Sequence, residues 1–371
     1  SPVNTAGSGQ TQANNGDSDN NGAGAGGNGG TNSAGTSAGA DGATVISYST
    51  SGPAATTRVS WAKFDSTTKA IVSPTPGDGG PCSGWCTNSV YDLPAALRGL
   101  SLIAYNGFLY AIGGENTSAT PQTAVYIAKL GANGEPQLWH PSGGTPVYWY
   151  NDASFNLSAA RTKFGAVAYN NRIYILGGLT TGSAVLSSNT VQFANVNPTG
   201  TLSAWSSTGM QALSGSSGGN RYGLTAQVYN DTLYIIGGST TFTGTPVANV
   251  DYAHLNGDGT MNGWVQTGSL QTSGRMTMGG NFSTIFGGYI YVGGGCTTMN
   301  ASGYCTAMAN DMQLASINAD GSLAGWNTIL GLTNQRIGHT LIAWQGGLYR
   351  LGGRRAQDPS AGTCTDTIFD V

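Results

Sequence analysis

Five times along the chain a short apolar strand ends in paired glycines: AIGG at Gly114, ILGG at Gly178, IIGG at Gly238, YVGG at Gly294 and RLGG at Gly353. The intervals are 64, 60, 56 and 59 residues. Self-similarity at this period, with strand character inside each unit, describes an array of small sheets, each burying its faces against its neighbours. Each unit reads alike. A first strand such as SLIAY (101–105) meets a two-residue turn: Asn106-Gly107, Asn170-Asn171, Asn230-Asp231, Gly287-Gly288 or Gln345-Gly346. Those residues suit the positive φ angles of a tight hairpin. A second strand with a Tyr then runs to the glycines. A variable loop, a third strand, a polar turn (GANGE, NPTGT, NGDGT, NADGS) and a fourth strand with Trp139, Trp205, Trp264 or Trp326 complete the unit.

Paired glycines after the second strand, the Tyr before them, the Trp of the fourth strand and an Arg ahead of the first strand together resemble kelch repeats. The resemblance covers residues 44–371 and implies an all-β, kelch-like β-propeller of four-stranded blades around a central channel. The ends refine the expectation. Residues 44–50 and 57–64, with Trp61, read as third and fourth strands lacking a first and second, whereas Gly338 to Val371 reads as first, second and third strands lacking a fourth. Joining the two ends makes five blades. Residues 44–64 then complete the last blade or a neighbour's, and one third strand, 44–50 or DTIFDV, is surplus and available for strand addition to another copy.

Residues 1–43 are nearly all Gly, Ser, Asn, Thr, Ala, Gln and Asp. They bury too little apolar surface to offset the entropy of ordering and read as a low-complexity tail. Extended, 43 residues span roughly 140 Å, enough to reach a neighbouring subunit.

Only 8% of the 371 residues are charged and the net charge is −3, against roughly 25% charged in an average domain. This leaves no basic surface for nucleic acid, and no apolar run is long enough for a membrane-spanning helix. No signal peptide is evident; Ser1-Pro2-Val3 suits a mature terminus left by export. Five cysteines are present. Cys82 and Cys86 flank one turn, Cys296 and Cys305 bracket one loop, and Cys364 has no local partner. With no histidine beside either pair, two local disulfides in an oxidising, extracellular or cell-surface setting are expected rather than zinc.

Catalytic patterns are sparse. GxSxG at Gly35–Gly39 and GxGxxG at Gly22–Gly27 fall in the tail, without the strand–turn–helix context their chemistry needs. An oxidase of the galactose oxidase type needs a copper site of His and Tyr, and the three histidines, His140, His254 and His339, fall in different strands of different units. NADGSLAGW and NGDGTMNGW approach a sialidase Asp-box but have the wrong spacing. No catalytic residue, metal or cofactor is assigned.

Two sets of binding candidates remain. Arg98, Arg161, Arg221, Arg275 and Arg336 recur 16, 17, 17, 19 and 17 residues before the second glycine of their units. They form either a guanidinium collar for an acidic partner or hydrogen bonds to carbonyls of an adjoining blade. The aromatics Tyr148, Trp149, Tyr150 and Trp85 lie in loops and suit stacking on sugars or a protein interface. The reading is a non-catalytic extracellular or cell-surface interaction or assembly module, self-associating through the tail and a surplus strand, such as a subunit of an extracellular filament or surface layer. A carbohydrate-binding, lectin- or adhesin-like propeller with glycan partners is the alternative, and an oxidase or sialidase the third.

Overall fold

The computed structural model describes residues 35–39, 42–48, 59–64, 71–72, 86–131, 134–180, 190–213, 219–241, 245–277, 279–301, 303, 305–333, 335–344 and 346–353. It is all-β apart from two single 3-10 turns, Ser89–Tyr91 and Ala153–Phe155. Four antiparallel sheets form the blades of a β-propeller. The first comprises Ser101–Tyr105, Phe108–Ile112, Val125–Leu130 and Pro136–Gln137. The second comprises Gly165–Tyr169, Arg172–Leu176 and Val191–Asn195, with a bridge from Phe193 to Ser206 where its fourth strand begins. The third comprises Thr225–Tyr229, Thr232–Ile236, Asn249–His254 and Val265–Ser269. The fourth comprises Ser283–Phe286, Tyr289–Gly293, Asp311–Ser316 and Asn327–Gly331. In each, chain order is spatial order. The first strands of successive sheets lie side by side, so they are innermost and the sheets fan outward from them.

Local chemistry makes these hairpins. Asn106-Gly107, Asn170-Asn171, Asn230-Asp231 and Gly287-Gly288 all take positive φ at both turn positions, the twist that matches two right-twisted strands. Burial between blades assembles them. Ile103, Tyr110 and Ile112 of the first sheet pack against Ala166, Ile173 and Ile175 of the second. Val167, Tyr174 and Leu176 pack against Leu224, Val228 and Leu233 of the third, and Tyr234 and Ile236 against Ile285, Ile290 and Val292 of the fourth. In the first three blades the buried Tyr of the second strand also reaches the polar turn of the next blade. Tyr110 Oη donates to Gly200 O at 2.9 Å, Tyr174 Oη to Gly259 O at 3.4 Å and Tyr234 Oη to Gly321 O at 2.8 Å.

The expectation of five blades is corrected to four. The strand Val59–Phe64 does not complete the last unit. It pairs with Gly42–Tyr48, Ile71–Val72 and Cys86–Thr87 in a separate sheet. Trp61 stands opposite Ile46 and Cys86 in that sheet, whereas Leu348 and Tyr349 belong to another, opposite Ala343 and Ile342. The physical reason is that both edges of Val59–Phe64 are already occupied by strands close in sequence, Gly42–Tyr48 on one and Ile71–Val72 with Cys86–Thr87 on the other. This sheet begins with Gly35–Gly39, a strand inside the stretch read as tail, which lies beside Ser101–Tyr105. At the other end Thr340–Trp344 and Gly347–Leu351 form a hairpin against the fourth blade. The expected strand DTIFDV and Cys364 lie outside the described residues, as do Cys82 and Trp85.

Two registers also differ from the sequence reading. In the fourth unit the glycines with the shared geometry are Gly294 and Gly295 (φ 66° and 94°), matching Gly177 and Gly178 (65° and 97°); Gly293 belongs to the strand. In the first unit the repeating tryptophan is Trp149. Tyr150 bridges Ile127 as Ser206 bridges Phe193. Trp149 Nε1 donates to Tyr91 O at 2.8 Å as Trp205 Nε1 donates to Phe155 O at 2.9 Å. Trp139 sits in an inserted hairpin, bridged to Val147.

Candidate functional site

The glycine pairs and the residues preceding each first strand share one face of the ring, because the second strand ends where the first begins. There the four regular arginines join adjacent blades. The carbonyl of Arg161 accepts from Gly114 N–H of the preceding blade (2.8 Å), that of Arg221 from Gly178 (2.9 Å), of Arg275 from Gly238 (2.6 Å) and of Arg336 from Gly295 (2.9 Å). The side chains turn into their own blades. Arg161 Nη1 donates to Gly177 O at 2.9 Å, Arg275 Nη1 to Gly294 O at 3.3 Å and Arg336 Nη1 to Gly352 O at 3.1 Å. Arg221 Nη2 lies 2.9 Å from Asp251 Oδ2, and Arg275 Nη2 lies 2.6 Å from Asp311 Oδ1. All four are buried. Arg161 faces Thr190 and Gln192 rather than a carboxylate, and burial pushes its guanidinium down to about 10. Burial also raises Asp251, outweighing Arg221. At Asp311 the upward push of burial is outweighed by the hydrogen bond from Gln313 and by Arg275, so its carboxyl is held low.

Arg98 does not share this register. Its bridge to Glu115 is the counterpart of Thr162 with Leu179, Tyr222 with Ser239 and Met276 with Cys296. The arginine position of the first unit is therefore occupied by the buried Leu97. One residue of slip sends the Arg98 side chain elsewhere, to Glu115 Oε1 at 2.8 Å. Lys163 Nζ meets the same carboxylate at 3.3 Å to each oxygen. Lys163 is itself irregular. Its φ is +54°, at a position held by Gly99 (62°), Gly223 (64°) and Gly338 (74°) in three other units and by Thr277 in the fourth blade. Backbone bonds chain these positions: Lys163 N–H donates to Gly99 O, and Gly223 N–H to Lys163 O. A side chain in this conformation costs roughly 1–2 kcal/mol. Two cations thus share one buried carboxylate; the side chains of Arg98, Lys163 and Glu115 are 22%, 16% and 5% exposed.

The same face is apolar over the other blades. Leu179, Tyr222, Met276 and Ile337 pack with the hairpin Cys296–Met299/Cys305–Met308, which is closed by a Cys296–Cys305 disulfide. Sequence reasoning missed Glu115 and Lys163. The signal was present: Arg98 stands 16 rather than 17 residues before its glycine, and Arg-Thr-Lys at 161–163 stands where two units have Arg-Tyr-Gly and Arg-Ile-Gly and a third has Arg-Met-Thr.

The aromatic candidates Tyr148, Trp149 and Tyr150 lie elsewhere, along the outer edge of the first blade, where Tyr150 bridges Ile127. Trp149 is buried. Tyr148 is half-buried, its ring edge-on to Tyr91 at 5.0 Å. Tyr150 packs with His140, Trp139 and Phe155. The three histidines stay apart. His140 Nδ1 accepts from Gly144 N–H at 3.0 Å, His254 Nδ1 is 3.1 Å from Thr232 Oγ1, and buried His339 places Nε2 2.8 Å from Gly293 O. Among the described residues no three His, Cys, Asp or Glu side chains gather as a metal site, and no helix is long and apolar enough to cross a membrane.

The chain is similar in structure to the solved structure of YjhT, with a TM-score of 0.60, 15% sequence identity, and coverage of 92% of this chain and 93% of that one. At that identity the likeness concerns the fold alone, a propeller-like arrangement. No protein-family model and no curated protein sequence matches the chain.

Proposed function

We propose that this chain is a non-catalytic, kelch-type interaction and assembly module that works outside the cell or at its surface, and that copies associate through the N-terminal tail. The observation that carries this reading is the strand Gly35–Gly39. Its sequence, GTSAG, offers no large apolar side chain, yet it pairs along its whole length with Gly42–Tyr48. Tail sequence of this composition takes strand form through its backbone alone, which is the requirement for adding a strand to a sheet edge. The low charge supports it, since copies of such a surface repel one another little. The disulfide suits an oxidising setting, and the arginine–glycine joints between blades suit the kelch resemblance. The test is removal of residues 1–34, which leaves the paired strands Gly35–Gly39 and Gly42–Tyr48 in place. Circular dichroism is expected to show an intact fold, and sedimentation a monomer under conditions where the full chain assembles; unchanged assemblies in micrographs overturn the reading.

A second reading, carbohydrate binding, draws on the hairpin inserted after the first blade. Exposed Leu138 and Val147 there flank the half-buried Trp139, an aromatic–apolar patch of the kind on which sugar rings stack.

A further inference from the structure

We infer that the hairpin Cys296–Met299/Cys305–Met308, with Met276 packed against it, binds a soft monovalent metal ion, cuprous copper, through the thioethers of Met276, Met299 and Met308. Three observations meet here. The first is where sulfur lies. Of the five cysteines and seven methionines in the chain, two and three respectively gather in this one cluster. Among the described residues, the cores joining the first blade to the second and the third to the fourth contain none. The fold does not call for sulfur at these places either. Met276 follows its arginine where Thr162, Tyr222 and Ile337 follow theirs.

The second is the geometry of the hairpin. It repeats one motif, Cys296-Thr-Thr-Met299 and Cys305-Thr-Ala-Met308. In the ladder Cys296 stands opposite Met308, and Met299 opposite Cys305. These four share the inward face, whereas Thr298, Thr306 and Ala307 are exposed. The Cys296–Cys305 disulfide spans one diagonal of the square and staples the strands, which leaves a thioether at each remaining corner. Met276 is tied to the same place by its backbone, its N–H donating to Cys296 O at 3.0 Å and its carbonyl accepting from Cys296 N–H at 2.9 Å. Met276 and Met299 are buried, and Met308 is half-buried, so an ion has a way in past Met308.

The third is the chemistry of the donors. Thioether sulfur is soft and polarisable, and it selects Cu(I) over hard ions. Three thioethers bring no charge, so a monovalent ion is less costly to bury among them than a divalent one. The neighbouring Arg275 guanidinium is turned into its own blade and paired with Asp311. Tyr222 Oη lies 3.7 Å from Met299 Sδ. It has another acceptor in Thr241 O at 3.2 Å, so its one proton can leave that sulfur to the metal. Where an oxidising setting consumes thiols as disulfides, thioethers remain as soft ligands.

The experiment uses the full chain, with any thiols blocked by N-ethylmaleimide so that no thiolate competes. Under nitrogen it is titrated with cuprous ion against a chromophoric cuprous chelator, and the loaded protein is studied by X-ray absorption. The expected result is a single tightly held ion per chain with a first shell of sulfur alone. Met299→Leu/Met308→Leu conserves volume and, without copper, is expected to melt within a few degrees of the parent. It is expected to hold cuprous ion at least about tenfold more weakly, because leucine keeps the shape and has no lone pair. It is also expected to lose the rise in melting temperature that the ion gives the parent. Met210→Leu/Met261→Leu, in the core between the second and third blades, is expected to bind as the parent does. A chelator that retains all the copper overturns the inference. So do nitrogen or oxygen neighbours at the bound ion, parental affinity in Met299→Leu/Met308→Leu, or an equal loss in Met210→Leu/Met261→Leu.

Discussion

At the scale of single residues, buried charge and buried imidazole set the terms. The regular arginines are held in low-dielectric joints by carbonyls and, in two blades, by an aspartate. A buried charge persists only where such partners surround it. His339 takes the other course. Burial, and then the nearby cations Arg350 and Arg336, push its imidazole down to about 3 from 6.5, so it is neutral in the fold and Nε2–H donates to Gly293 O. Between those values the unfolded chain binds a proton that the folded chain refuses. Stability contributed by this site is therefore whole above pH 6.5 and is lost as pH falls toward 3, with a slope of at most about 1.4 kcal/mol per pH unit. Urea midpoints measured from pH 6.5 to 4 are expected to fall more steeply for the parent than for His339→Gln. Parallel slopes would show that the site does not titrate this way.

At the scale of the element, the glycine pair is a joint between blades rather than a flexible turn. A Cβ on Gly178 (φ +97°) meets Phe164 Cβ at 2.7 Å and Thr162 O at 2.9 Å. Gly107, in the hairpin turn at φ +79°, has nothing within 4 Å of such a Cβ. Alanine at Gly107 thus bears only the backbone penalty, about 1 kcal/mol. Alanine at Gly178 adds a steric conflict with a backbone carbonyl and with the Cβ of buried Phe164 and is expected to cost about 3 kcal/mol or more. Chemical denaturation of the two variants checks the ordering, and equal losses would refute it. The hairpin turns were fully legible in sequence, because Asn-Gly and Asn-Asp announce positive φ locally. The roles of Trp139 and Trp149 were not. Both fit the pattern, and only the bridge from Ile127 to Tyr150 distinguishes the regular strand from the insertion.

At the scale of the whole molecule, each blade touches its neighbours and little else, so stability is expected to behave as a sum of local interfaces. Tyr110 joins the first blade to the second, and Tyr234 the third to the fourth. Replacing either with Phe removes one buried hydrogen bond and leaves a glycine carbonyl unsatisfied, a loss of about 1–2 kcal/mol. The two share no partner. Their effects are expected to add within about 0.5 kcal/mol in the double variant; a large coupling energy would mean that the ring responds as one rigid unit. The same modularity explains why the ends were misread. A repeat pattern counts units but does not say which edges meet, and five glycine pairs accompany four blades and a hairpin.

Period, turn chemistry and the alternation of buried faces were determined by the amino-acid order alone, because each depends on contacts a few residues long. Tertiary structure decided which strand Trp61 joins, that Leu97 rather than Arg98 fills the arginine position, and that Glu115 and Lys163 meet. The first depends on which strand edges are already filled and the others on a one-residue slip, whose consequence, a side chain turned toward one partner or another, exists only once two blades stand together.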